Sequence, residues 1–321
     1  MDKIWNQYED IKTELASVIS IMEKNTKCKN KKIETSIRDL IHSGGKMLRP
    51  AFVIISSHFG NYDSNKATSL AAVMEMMHMA TLVHDDIVDD SKIRRGQPTI
   101  QSKYGTDYAV YIGDFLFCIC FKILASMSSL KNIKIDSNSM SRICLGEIDQ
   151  LSSRFDTELS VKSYLSRVSG KTAELFSLSL YIGAAESGCS DALSRKFWKI
   201  GHNIGMAFQI IDDTLDYIGT DESIKKSAAN DIKQGIFTLP FIYAALNNKK
   251  DFNPYFKKDF FSDQDIRDIF MLVNKYNGVN KSIELADKYT KRAFKLINSL
   301  PENPYKIVLK ELAEKLLTRK Y

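Results

Sequence analysis

The sequence predicts an all-α protein, a bundle of long helices, from three observations. Only 6 Pro and 15 Gly occur among 321 residues, too few breakers for many short strands. Four segments are apolar on almost every face: "ATSLAAVMEMMHMATLVHDDI" (67–87), "VYIGDFLFCICFKIL" (110–124), "AELFSLSLYIGAA" (173–185) and "IGMAFQIIDDTLDYIG" (204–219). Such segments mark helices enclosed by other helices. Alternating strand patterns joined by Asn-Gly or Asp-Gly are absent. No Pro-, Gly- or Ser-rich linker divides the chain, so residues 1–321 read as a single domain, with 1–32 as an N-terminal helix and loop.

Taken in order, the elements carry their own punctuation. In "HSGGKMLRPAF", Gly44 and Gly45 end one helix and Pro50 suits the first turn of the next, with Lys46 and Arg49 in the connection. Cations beside the free amides of a helix start make an anion site. The helix that follows ends in "HDDIVDD", with Gly96 and Pro98 as breakers and Arg94 and Arg95 between. Together the two arginines form a forked pair able to hold phosphate. His78 lies seven positions before Asp85, on the same side of that helix. Lys171 and Thr172 in "GKTAELF" open a further apolar helix. Gln209 precedes Asp213 by four, one turn inward, and Gly219 closes the last of the four segments.

The pattern D-D-x-x-D occurs twice, as Asp85, Asp86, Asp89 and as Asp212, Asp213, Asp216. In each set the first and last Asp are four apart, on one helix face and about 6 Å apart along the axis. Both sets fall near helix C-termini, where the macrodipole makes each acid unfavourable by roughly 0.3–1 kcal/mol. Stability does not select for that. Carboxylate oxygens without His or Cys favour a hard cation, Mg²⁺ or Mn²⁺, which keeps waters and recruits phosphate oxygens to complete its shell.

Composition excludes other classes. The net charge is +6, but the lysines are dispersed among acids without an aromatic-interleaved basic stripe, so no nucleic-acid partner is expected. The 5 Cys are odd in number and include no C-x-x-C, which predicts reduced, mostly buried thiols rather than a disulfide or zinc framework. "MDKIWNQYED" lacks a signal-peptide pattern. No uncharged apolar run reaches the roughly 18 residues of a membrane span, Asp114 interrupting the best one. A cytoplasmic protein without a transmembrane segment is expected.

"GGKMLRP", "HMATLVHDDIVDDSKIRRGQPT", "GDFLF", "LGEIDQL", "GKTAELF", "FQIIDDTLDY" and "DIKQGIFTLP", in that order from about Ile33 onward, make the chain resemble the trans-isoprenyl diphosphate synthases, the polyprenyl synthetase family. Within it the chain is most similar to the catalytic component of two-component heptaprenyl diphosphate synthases. The resemblance implies an isoprenoid synthase type all-α bundle around a deep apolar cavity, commonly a homodimer. It implies a Mg²⁺-dependent prenyltransferase, with Mn²⁺ an alternative, that condenses isopentenyl diphosphate with an allylic diphosphate. Asp85, Asp86, Asp89, Asp212, Asp213 and Asp216 would hold metal. Lys46, Arg49, His78 and Arg95 would bind isopentenyl diphosphate. Arg94, Lys171, Thr172, Gln209 and Lys226 would face the allylic diphosphate, Thr172 and Gln209 presenting oxygens to the developing cation.

Two departures stand out. Met47 occupies a position where the family often has a basic residue, and Ile236 one usually held by lysine, which removes a cation from the allylic clamp and raises the prospect of a small non-catalytic partner subunit. Met77, Ala80 and Thr81 line the turns before Asp85. In this family a Phe or Tyr at Ala80 or Thr81 stops growth at farnesyl. Small side chains predict a longer product, hexaprenyl to octaprenyl with heptaprenyl foremost, released by transient membrane contact. The alternatives are a geranylgeranyl or farnesyl diphosphate synthase, a class I terpene cyclase, which would ordinarily lack "GGKMLRP", and a regulatory subunit, which would lose the aspartates.

Overall fold

The computed structural model describes residues 2–158, 160–218 and 222–318, with side chains throughout except at 222–227. After a 3₁₀ turn at Lys3–Gln7 come α1 (Glu9–Asn25), α2 (Lys31–His42), α3 (Leu48–Ser57) and α4 (Ser64–Val88). A two-stranded ribbon, β1 (Ile93–Arg94) and β2 (Gln97–Pro98), precedes α5 (Ile100–Tyr104), α6 (Thr106–Met127), α7 (Leu130–Ser152) and α8 (Val161–Val168). A π turn at Ser169–Ala173 leads into α9 (Glu174–Glu186), then α10 (Asp191–Ile218), α11 (Glu222–Lys233), α12 (Leu239–Asn247), α13 (Lys249–Phe256), α14 (Asp263–Lys275), α15 (Gly278–Asn298) and α16 (Pro304–Leu317). The all-α expectation holds, with the ribbon as the only strands among the described residues.

The helices fall into two compact units. One comprises Met1–Ser137, Leu178–Trp198 and Pro301–Tyr305; the other Asn138–Ser177, Lys199–Leu300 and Lys306–Tyr321. In the first, α4 is the central rod, packed by α1, α3 and α6. Its residues from Ala67 to Met77 are all buried, as a helix without a polar face requires. Asp63 caps its start, accepting from the Lys66 amide at 3.1 Å. In the second unit α12 is central, contacted by α8, α13, α14 and α15. Phe237 stacks on Phe241 at 4.3 Å, and Phe252 meets Phe241 edge-on at 5.1 Å, offset geometries that aromatic quadrupoles favour.

α4 ends at Val88, within the acidic stretch where the sequence puts its end; the chain leaves the helix through Asp89 and turns at Asp90, φ 47°, a left-handed conformation Asp tolerates better than most residues. Two sequence expectations change. Of the free cysteines only Cys120 is buried, while Cys118 and Cys144 are exposed, because the outer faces of α6 and α7 carry apolar residues as well as the inner ones. For the same reason α6 is long and apolar enough to cross a membrane by length and composition, Asp114 notwithstanding. Gly219 lies outside the described residues.

Candidate active site

In the first unit, Asp85 and Asp89 are half-exposed one turn apart at the end of α4, and Asp86 is buried beside them. Asp86 accepts from Arg94 Nε at 2.7 Å through its carboxylate, and its backbone carbonyl accepts from Gln101 Nε2 at 2.6 Å. Burial raises the Asp86 pKa, against which the Arg94 bond acts. Arg94 is thus held by an acid, and Arg95 by something else: its guanidinium donates to the Gly44 carbonyl. The expected phosphate fork of adjacent arginines is therefore split. Its cause is the ribbon, whose two-residue turn, Arg95 (φ 51°) and Gly96 (φ 74°), has the positive φ pair of a tight hairpin and sends consecutive side chains apart.

The basic loop is built from unusual backbone. Gly44 (φ 86°), Gly45 (φ 154°) and Met47 (φ 50°) lie in the left-handed half of φ space, with Met47 as the N-cap of α3. The two glycines supply what other residues resist. A Cβ on Gly45 would sit 2.9 Å from an Arg95 guanidinium nitrogen. Lys46 is exposed and the Met47 side chain is buried, so the residue in place of the family's extra cation faces inward. Arg49, Glu75 and His78 share this corner. Burial pulls the Arg49 pKa down to about 10, which leaves it charged at neutral pH, while Glu75 opposes the shift. Burial and the cations Arg49, Arg95 and Arg94 push His78 well below its usual range, so the imidazole is neutral. Glu75 is a buried carboxyl raised by burial and drawn back by Arg49 and Arg95. Sequence reasoning gave it no role, its only signal being a lone acid in an apolar run.

Along α4 from Asp85 toward the N-terminus, Thr81 keeps exposed surface and its hydroxyl donates back to the His78 carbonyl at 2.8 Å. Ala80 and Met77 have none. The three positions expected to bear on chain length therefore differ: two are packed and one is accessible.

In the second unit a partly buried relay runs through four side chains. Thr172 Oγ1 donates to Gln209 Oε1 at 2.8 Å, and Gln209 Nε2 donates to Asp213 Oδ1 at 2.7 Å. Tyr164 donates its hydroxyl to Asp213 Oδ2 at 2.6 Å. Burial raises the Asp213 pKa, and the Tyr164 and Gln209 bonds pull it back. The Gln209 amide oxygen expected to face a cation thus accepts from Thr172. Asp212 and Asp216, half-exposed and one turn apart on α10, flank the buried Asp213. Lys171 Nζ reaches Glu147 Oε2 at 2.7 Å.

The π turn makes this possible. It inserts an extra residue into the helical path at Ser169–Ala173, a device frequent at functional sites. Gly146 and Gly170 let α7 touch it: their Cα atoms crowd so closely that a Cβ on Gly146 would lie 3.0 Å from the Lys171 amide nitrogen. That contact brings Glu147 onto Lys171. Glu147 belongs to "LGEIDQL", a motif quoted above without an assigned role, and Tyr164 had no sequence signal at all. Ile236 is buried, apolar where the family usually has a cation. The Lys226 side chain lies outside the described residues.

Residues 30–273 match the polyprenyl synthetase family model. The chain belongs to that family. It is 34% identical over 282 residues, 88% of this chain and 81% of the relative, to a heptaprenyl diphosphate synthase component 2 of Bacillus subtilis (strain 168). Among solved structures, a geranylgeranyl pyrophosphate synthase from Lactobacillus brevis ATCC 367 superposes with a TM-score of 0.93 at 34% identity, covering 99% of both chains. A polyprenyl synthase from Caulobacter crescentus CB15, complexed with calcium and isoprenyl diphosphate, gives a TM-score of 0.89 at 30% identity, covering 97% of this chain and 96% of that one. This polyprenyl synthetase is accordingly a transferase of the trans-prenyl diphosphate synthase type with the isoprenoid synthase fold.

Proposed function

We propose that the chain condenses isopentenyl diphosphate with an allylic diphosphate to give an all-trans polyprenyl diphosphate of six to eight isoprene units, heptaprenyl foremost, with release of diphosphate. The observation that carries the reading is that each unit presents a half-exposed carboxylate pair, Asp85/Asp89 in one and Asp212/Asp216 in the other, each flanking a buried Asp anchored by its own partners. The donor set is oxygen only. That fits Mg²⁺, which takes one or two carboxylates and fills its shell with water and substrate phosphate; Mn²⁺ suits the same donors. Asp85, Asp89, Asp212 and Asp216 would hold the ions, with Asp86 and Asp213 orienting them. Ions held there would supply positive charge against the departing diphosphate.

The chain's own groups do the rest. The allylic C–O bond breaks with its electron pair leaving on diphosphate. Lys171, steadied by Glu147, would meet that charge, and the Thr172 hydroxyl oxygen would offer lone pairs to the carbocation. The isopentenyl double bond, with its diphosphate held by Lys46, Arg49 and neutral His78, attacks C1 and forms the new C–C bond. A proton then passes from the isopentenyl C2 to the released diphosphate. Apolar helices exclude the water that would quench the cation.

Product length rests on small side chains at Ala80 and Thr81 and on similarity to a heptaprenyl component. The enclosure of Ala80 and Met77 and the Lactobacillus relative favour geranylgeranyl as the second reading. Incubation with farnesyl diphosphate, labelled isopentenyl diphosphate and Mg²⁺ tests both: the primary reading expects products of six to eight units, and a product that stops at four replaces it. Ala80→Phe is expected to shorten the product, and an unchanged distribution refutes the tube assignment. Tyr108, Val110, Tyr111 and Phe121 expose apolar surface on α6, a face suited to a second copy of the chain. The component 2 relative supports a small partner subunit. The enzyme works in the cytoplasm, with membrane contact at product release.

A further inference from the structure

We infer that Trp5, in the N-terminal 3₁₀ turn, is a positioning residue for the isopentenyl diphosphate subsite, a role that rests on the Gly44–Met47 loop being that subsite as proposed above. Trp5 is fully buried, and its indole N–H donates to the Lys46 carbonyl at 2.8 Å, across 41 residues of sequence. Indole has a single polar atom and needs a partner when buried. Here that partner is the peptide joining Lys46 to Met47, and the Met47 φ of 50° is a left-handed conformation that an L side chain resists.

The loop is thus gripped at two points. Arg95 takes the Gly44 carbonyl from one end, and Trp5 takes the Lys46 carbonyl from the other. Between them lies Gly45, a positive-φ glycine, which on its own favours many conformations. The orientation of the Lys46 peptide sets where the Lys46 side chain points and where α3, with Arg49, begins. Turn Lys3–Gln7 packs on α1, and Trp5 sits 6.4 Å ring to ring from Tyr8, so the clamp is anchored by the N-terminal segment.

Trp5→Phe keeps most of the apolar volume and removes only the N–H. Losing one such bond predicts a KM for isopentenyl diphosphate raised roughly three- to tenfold, with the allylic KM and kcat within about twofold. A purely structural role would instead lower the active fraction, cutting kcat and leaving both KM values in place; that result overturns the inference, as does an equal rise in both KM values. The second measurement uses Trp198→Phe, which leaves Trp5 the sole tryptophan. Its emission should change saturably on titration with isopentenyl diphosphate and not with farnesyl diphosphate; silence in both titrations refutes the clamp. Lys46→Met is the control for the underlying reading. If it leaves the isopentenyl KM unchanged, the loop is not the subsite and the inference falls with it; if it raises that KM while Trp5→Phe does not, the inference alone falls.

Discussion

Replacing Asp136 by Asn should make the protein more stable, and more so at high pH than at low. Asp136 lies on α7 with no exposed surface, and neither carboxylate oxygen has a hydrogen-bond partner. Nearby Glu186 monopolises the local donors, accepting from Lys66 Nζ at 2.5 Å, Asn132 Nδ2 at 2.6 Å and the Ser129 amide at 3.0 Å. Burial first, and the Glu186 charge second, push Asp136 from 3.8 up to about 7. The folded state therefore holds a proton that the unfolded chain releases above pH 4. Stability from this group is whole below 3.8, falls as pH rises toward 7, and stays reduced above it. At about 1.36 kcal/mol per unit, the loss is roughly 4 kcal/mol in full, and about 2.5 kcal/mol of it falls between pH 5 and 8. Asparagine has no such titration. Urea unfolding of both proteins at pH 5 and pH 8, read as the difference between them so that all other groups cancel, should give a stability gap that widens by about 2.5 kcal/mol at the higher pH. An equal gap at the two pH values would refute the burial argument.

Tyr164→Phe removes one of the two side-chain donors on buried Asp213 and should cost about 1–3 kcal/mol in urea unfolding, with a weaker apparent affinity for Mg²⁺ in activity titrations. Gly146→Ala adds a helix-favouring methyl worth about 1 kcal/mol but drives a Cβ to 3.0 Å from the Lys171 amide. Its kcat should fall at least tenfold without a matching loss of helix content by circular dichroism. Glu147→Gln loosens Lys171 and should raise the KM for the allylic primer several-fold while the isopentenyl KM stays in place, as steady-state titration of each substrate will reveal.

The rod-like core was readable because α4 is apolar on almost every face from Ala67 to Met77, a pattern that points to both helix type and burial without any tertiary knowledge. The aspartates were readable because spacing on a helix is local geometry. What escaped the sequence is what depends on distant partners. "GKTAELF" looks helical from end to end, and only the approach of Gly146 to Gly170 reveals the π turn within it. Tyr164 and Gln209 converge on Asp213 from residues 49 and 4 positions away; the second was foreseen and the first was not. The separate anchors of Arg94 and Arg95 were not legible because adjacency in sequence says nothing of direction at a hairpin tip. The cysteines and α6 were misjudged together, since apolar composition was equated with burial on faces that are in fact exposed.

The ribbon between α4 and α5 ties two neighbours to unlike anchors, Arg94 to an acid and Arg95 to a backbone oxygen. Pairing of Ile93 with Pro98 and Arg94 with Gln97 leaves a loop of two residues, the shortest hairpin in common use. Lengthening or shortening residues 92–98 by one would exchange the inward and outward faces and sever both moorings in a single event. This small surface feature is consequently intolerant of insertion and deletion, in contrast to most exposed loops, and length variation here would be a more sensitive sign of lost activity than any one substitution.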